Sequence, residues 1–200
     1  MNNILIMYPE EFNCKTKFNR KIDNVLSGAD QYTLCYLNGC DFRNFIREYA
    51  QNKSLNVISL DGLDFNLITH AIIFDDGEVF LNEYKKLKDN NIPLRAIKIK
   101  ITRVINIKKE KEFSAVKSNT RYEYIGRGGY WGNPYAMHID GDREEVIRKF
   151  KYDFDYDKFP NITKDKVYEL AGKRLGCFCK PAPCHGDVIA DFLNSWDDGE

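Results

Sequence analysis

Two hydrophobic periods alternate through the first hundred residues, and this alternation constrains the fold more than any other feature of the chain. Ile4-Leu5-Ile6-Met7 is a short apolar run, and Phe18, Ile22, Val25 and Leu26 then recur at helical spacing. Tyr32 to Leu37 is a second run, closed by Asn38-Gly39, and Phe42, Phe45, Ile46 and Tyr49 form the next helical stripe. Leu55 to Leu60 and Ala71 to Phe74 predict a third and a fourth strand. Val79, Phe80, Tyr84 and Leu87 predict a helix that Pro93 ends, and Leu94 to Ile101 a fifth strand. Strands that alternate with helices require right-handed crossovers and a mostly parallel sheet. The expectation is an α/β protein. Residues 1–103 form an N-terminal Rossmannoid with a mostly parallel five-stranded sheet, and residues 104–200 a small C-terminal α/β domain.

Composition narrows the partners. Thirty basic residues balance thirty acidic ones, so no global field draws in nucleic acid. A local basic run (Lys98, Lys100, Arg103, Lys108, Lys109, Lys111, Lys117, Arg121, Arg127) is diluted by Glu110, Glu112 and Glu123 and reads as a solvated face. The end is acidic, with Asp191, Asp197, Asp198 and Glu200. No run approaches the roughly 20 apolar residues of a membrane span. Met1 to Met7 lacks a basic leader and a long apolar region, so it reads as a buried strand, not a signal peptide. A cytoplasmic setting with reduced thiols and no membrane partner is therefore expected. Cys14, Cys35 and Cys40 are scattered and read as core or loop thiols, whereas Cys177, Cys179 and Cys184 crowd one segment.

Open parallel sheets bind ligands beyond the carboxyl ends of their strands. Here those loops are Tyr8-Pro9-Glu10-Glu11-Phe12, Asn38-Gly39-Cys40-Asp41 and Asp75-Asp76-Gly77-Glu78. None is a glycine-rich phosphate cradle, and their acidity disfavours a naked phosphate. Gly39-Cys40-Asp41, Phe45 to Ala50, Val57, Thr69 to Gly77 and Lys88 to Arg95 together resemble the small SLOG-type Rossmannoid proteins, relatives of the cytokinin-activating phosphoribohydrolases. The resemblance implies the fold. The family's early Gly-Gly-Arg is replaced by Tyr8-Pro9-Glu10, and its Gly-Thr-rich turn by Glu78-Val79-Phe80-Leu81, so catalysis is not carried over. A scaffold or protein-contact role is the alternative for this half.

The second half changes character at Gly126-Arg127-Gly128-Gly129-Tyr130-Trp131-Gly132-Asn133-Pro134. Glycines permit close backbone approach, and exposed amides beside the Arg127 guanidinium make an anion receptor. Tyr130 or Trp131 would stack a base or sugar, and the Asn133 amide would bond a ligand or cap the backbone. The competing reading is a tight turn with a buried Trp and a solvated Arg. Asp142 to Glu145 has capping-box spacing and opens a helix carrying Val146, Ile147, Phe150 and Phe154, with Arg143 near its start; Thr163 caps a shorter one.

Lys173 to Cys179 reads as a strand on which Cys177 and Cys179 share a face. After Lys180-Pro181-Ala182-Pro183, Cys184-His185-Gly186-Asp187 opens a final helix, whose amides favour a thiolate at Cys184. Three chemistries compete for this cluster. Cys177, Cys179, Cys184 and His185 are a zinc donor set, although their sequence spacing is tight. Cys184 as nucleophile, or His185 and Asp187 as an acid/base pair, would be catalytic. Otherwise the thiols are packing residues, and His185 and Asp187 bind a ligand or cap the helix.

Tyr124 to Gly128, Trp131 to Pro134, Leu175 to Cys179 and Pro183 to Asp187 together resemble a bacterial and viral family catalogued as domain of unknown function 4326, over about seventy-five residues. The resemblance implies that Arg127, Trp131, Asn133, Cys177, Cys179, Cys184, His185 and Asp187 belong together, but it supplies no reaction. By analogy of fold, the chain reads as a nucleotide- or nucleoside-directed enzyme. It would be a hydrolase or glycosyltransferase acting at an N-glycosidic or phosphoester bond. Gly126, Arg127 and Gly128 would hold phosphate, and the partner is a nucleotide-like small molecule. The alternatives are a protein that sequesters a nucleotide or a nucleic-acid end without turnover, and a zinc-stabilised interaction module.

Overall fold

The computed structural model describes residues 2–113 and 118–199. Met1, Lys117 and Glu200 lie outside the described residues. Two compact units are resolved by their contacts, Met1–Ile99 with Asp197–Glu200, and Lys100–Trp196.

The first unit is a Rossmannoid. Its strands are β1 (Asn2–Met7), β2 (Tyr32–Leu37), β3 (Val57–Leu60), β4 (His70–Asp75) and β5 (Leu94–Lys98), all parallel, in the order β3-β2-β1-β4-β5. Helices α1 (Lys15–Leu26), α2 (Phe45–Lys53) and α3 (Leu81–Asp89) make the crossovers. The central strands read as continuous apolar runs because both their faces are covered: Ile4 to Met7 and Ala71 to Phe74 are all buried. Edge strand β3 starts at Val57 and not at Leu55. The Leu55 amide closes the end of α2 on the Ala50 carbonyl, after Ser54 turns left-handed. The acidic tail belongs to this unit, with Asp198 against Lys17 and Asp197 against Arg20 of α1.

The order of strands reverses between β1 and β4, which is where sheets of this kind bind ligands. Here rings and carboxylates of the chain itself occupy the strand ends. Tyr8 is wholly buried and stacks on Phe45, and Phe12 and Phe18 both stack on Phe74. The buried Asp41 carboxylate accepts from the Tyr8 hydroxyl (2.6 Å), from the Ile46 and Arg47 amides at the start of α2 and from Arg47 Nε. Burial first, and then this carboxylate, push the Tyr8 hydroxyl well above its usual pKa. After β4, Asp75 accepts from the Gly77 amide, and Asp76 from the Glu78 and Val79 amides. Amides that could hold a phosphate are thus satisfied by side chains.

The second unit is a three-stranded parallel sheet in the order β6-β8-β7, formed by β6 (Arg103–Asn106), β7 (Tyr122–Tyr124) and β8 (Arg174–Cys177). It carries α4 (Arg143–Asp155), α5 (Lys164–Tyr168) and α6 (His185–Asn194). Residues 105–113 do not continue as one strand. The Asn106 side chain accepts from the Lys108 amide and turns the chain into a short 3₁₀ segment, Lys111–Phe113. Asp142 accepts from the Glu145 amide and Thr163 from the Lys166 amide, so both anticipated caps form. The core gathers Ile125, Trp131, Phe150, Phe154, Leu175 and Ile189. Among the described residues, no helix is long and apolar enough to cross a membrane.

Asp41→Ala strands a buried hydroxyl and two helix amides. It is expected to lower the stability of the first unit by about 3 kcal/mol. Asp41→Asn, which keeps one acceptor oxygen, is expected to lose less. Urea unfolding monitored on both variants measures the difference.

Candidate functional site

Residues 126–132 fold as two successive turns, with the Gly129 amide on the Gly126 carbonyl and the Gly132 amide on the Gly129 carbonyl, both at 3.0 Å. Gly132 has to be glycine for reasons of space. A Cβ there would lie 2.8 Å from the Gly126 carbonyl oxygen and 3.1 Å from that of Gly129, and neither backbone atom can swing away. The turns leave the Arg127 side chain exposed, and among the described residues it has no hydrogen-bond or ion-pair partner. Asn133 then fixes the loop to α4. Its Nδ2 donates to the Val146 carbonyl (3.1 Å), and its Oδ1 accepts from the Tyr135 amide (2.9 Å).

Facing this loop is the segment that links β8 to α6. Asn106 of β6 donates to the Phe178 and Lys180 carbonyls and holds the segment against the sheet. Arg143, at the start of α4, donates to the Pro183 carbonyl at 3.1 Å. Cys184 is the N-cap of α6, and Asp187 completes a capping box by accepting from the Cys184 amide at 2.8 Å. The other Asp187 oxygen pairs with Lys180 at 2.6 Å. Both its oxygens are therefore engaged in holding the turn.

His185 is 5% exposed and joins the two segments. Its Nε2 lies 2.9 Å from the Ile125 carbonyl oxygen and 3.1 Å from that of Trp131. Two acceptors on one ring nitrogen require the proton to sit there, which assigns the Nε2–H tautomer. Burial, the dominant influence, pushes the imidazole pKa down and favours the neutral ring.

Between the segments lies a cavity of about 210 Å³. Of the residues singled out in the sequence, Gly126, Arg127, Asn133, Cys177, Cys179, Cys184 and His185 line it. Gly128, Tyr130, Trp131 and Asp187 are outside the lining. Trp131 is buried in the core, where its carbonyl serves His185. Tyr130 is half exposed, and its hydroxyl bonds the Asn161 carbonyl and Lys166. The aromatic rings at the cavity are those of Tyr135 and Phe178. Phe178 could have been suspected from its place between two cysteines. Tyr135, Met137 and Ile147 carried no comparable signal. Arg143 also lines the wall, and among the described residues no carboxylate does.

The thiols form one electrostatic group. The Sγ atoms of Cys177, Cys179 and Cys184 all lie within 4.8 Å of one another, a spacing that can bind a metal ion. Neither ring nitrogen of His185 joins that set. A hydrogen bond from Cys184 draws the Cys177 thiol pKa down, against its burial. The same hydrogen bond with Cys177, and then burial, push Cys184 up. Cys179 is raised, first by burial and then by Cys177, while Arg143 pulls the other way. Within the pair, Cys177 is the thiol drawn down and Cys184 the one pushed up, although helix position alone pointed to Cys184.

Comparison with known proteins places both halves. The minimal SLOG domain family matches residues 1–105, and the domain of unknown function DUF4326 matches residues 105–195. An uncharacterized 12.4 kDa protein in the nrdA-td intergenic region of Enterobacteria phage T4 is 51% identical over 71 residues. That alignment covers 35% of this chain and 65% of the phage protein, so the chain spans a little under two thirds of the relative's length. No solved structure matches. A Rossmannoid fold followed by a motif-rich second unit thus corresponds to two family matches in tandem, and the chain belongs to the minimal SLOG domain family, with its residues 105–195 similar to DUF4326.

Proposed function

We propose that the chain is a nucleotide- or nucleoside-directed enzyme whose ligand enters the cavity of the second unit. One observation carries this reading: two guanidiniums, Arg127 and Arg143, line an apolar cavity that no carboxylate lines among the described residues. Such a wall favours a ligand with an anionic group on an apolar or aromatic body. The volume lies below the usual range for ligand sites, about 300–1,000 Å³, so the cavity takes at most one nucleotide unit, part of it outside the walls. Arg127 and Arg143 hold the phosphate, and Phe178 and Tyr135 flank the base or sugar. The thiols form the reactive wall, His185 braces it against the loop, and Asp187 positions the turn that carries them.

Of the two bond types open to such an enzyme, the phosphoester is favoured. Cleavage of an N-glycosidic bond develops positive charge on the sugar, which carboxylates ordinarily stabilise, and two arginines oppose it. A phosphoryl group gathers negative charge, which they stabilise. Binding without turnover is the second reading, supported by the use of Asp187 as a cap. A zinc-stabilised interaction module is less well supported, because all three cysteines line a cavity.

Equilibrium dialysis against nucleoside mono-, di- and triphosphates, with chromatography of the products, tests the proposal. Saturable binding with product formation is expected. Binding without product favours the sequestering protein, and failure to bind any of them refutes both. Arg127→Ala and Arg143→Ala should each weaken binding about tenfold or more, since each removes a charge-assisted hydrogen bond. Gly132→Ala keeps both arginines in the chain but forces apart the loop that carries Arg127. It should weaken binding as well and lower stability by about 1–3 kcal/mol in thermal unfolding.

A further inference from the structure

We infer that Cys177, Cys179 and Cys184 hold one thiophilic divalent ion of the zinc class, with a coordination position open to the cavity. The inference rests on the reading of this cavity as the ligand site, and it identifies the group that meets the ligand.

The geometry fits such an ion. Thiolates at about 2.3 Å from a tetrahedral zinc ion lie about 3.8 Å apart. The three Sγ atoms, already within 4.8 Å of one another, need only small side-chain rotations to reach that spacing. The tight sequence spacing is no obstacle, because the donors come from three places: Cys177 ends β8, Cys179 follows it, and Cys184 caps α6. Between them the chain turns back, with the Ala182 amide on the Cys179 carbonyl at 3.0 Å. The turn is itself pinned by Asn106 and by Arg143.

A fourth protein ligand is lacking among the described residues. His185 keeps its Nε2–H on two carbonyls, and its ring nitrogens lie outside the thiol set. Asp187 is engaged by Lys180 and by the Cys184 amide. All three cysteines line the cavity, so the remaining position faces it. Three protein ligands with one open position are the pattern of reactive zinc sites, whereas structural sites close with four. Charge balance agrees. Three thiolates around a divalent ion leave one net negative charge, and Arg127 and Arg143 in the same wall compensate it. The open position then accepts water or an anionic oxygen of the ligand, beside the guanidiniums that hold the rest of it.

The test uses the full chain, purified under reducing conditions without chelator. Elemental analysis should find about one equivalent of zinc. Replacement by cobalt should give the sulfur-to-metal charge-transfer band and the intense visible bands of tetrahedral coordination. Added cyanide should shift those visible bands, because an open position accepts it; bands indifferent to cyanide would overturn the open site. Cys177→Ser and Cys184→Ser should each reduce the metal to below about a third of an equivalent, and Cys40→Ser should leave it unchanged. A wild-type chain that is folded by circular dichroism and takes up neither metal overturns the inference. If that metal-free chain still binds nucleoside monophosphates, the cavity reading survives alone. If a metal-loaded chain binds none, the inference stands and the cavity reading falls.

Discussion

One buried imidazole holds the second unit's site together. His185 gives a single N–H to the carbonyls of Ile125 and Trp131, one on either side of the arginine-bearing turns. That bond fixes the end of β7 and the close of the loop against the first residue of α6. The thiols before His185 and the guanidinium of Arg127 therefore meet across one cavity. A charged imidazole would be poorly tolerated in such a place, and burial keeps the ring neutral. Its role here is that of a strut, one that uses the Nε2–H tautomer.

The two units treat anions in opposite ways. In the first, Tyr8 and its neighbouring rings occupy the space beyond β1, and Asp41, Asp75 and Asp76 take loop and helix amides. Each of those bonds stabilises the fold by satisfying a buried or turn amide, and each removes a donor from any incoming phosphate. In the second unit the reverse holds. Arg127 is left without a partner among the described residues, and the carboxylates nearby are drawn off to caps and ion pairs, as Asp187 is to Cys184 and Lys180. The minimal SLOG fold thus persists in the first unit, while the proposed ligand cavity lies in the second.

Much of this was legible in the sequence. The five-stranded parallel sheet follows from short continuous apolar runs that alternate with stripes of period 3.6, because strands covered on both faces must be continuously apolar. Element ends were less legible, since they turn on single bonds: Ser54 and Leu55 shorten β3, and Asn106 ends β6. The motifs marked the right segments but not the roles within them. Trp131 is a good stacking residue by type, yet its size makes it core, and its backbone oxygen is what the site uses. Asp187 looks like a catalytic acid by its neighbours and serves as a cap. Arg143 could be suspected from its place near the start of α4, whereas Tyr135 is brought to the cavity beside the bond from Asn133 to α4, a contact over 13 residues that no local pattern encodes.

A crystal structure of the full chain with a nucleoside 5′-monophosphate tests the central claim most directly. Phosphate oxygens within hydrogen-bonding distance of both Arg127 and Arg143, with the base or sugar beside Phe178, is the predicted result. A ligand lodged at the strand ends of the first unit, with only solvent between the arginines and the thiols, would contradict it.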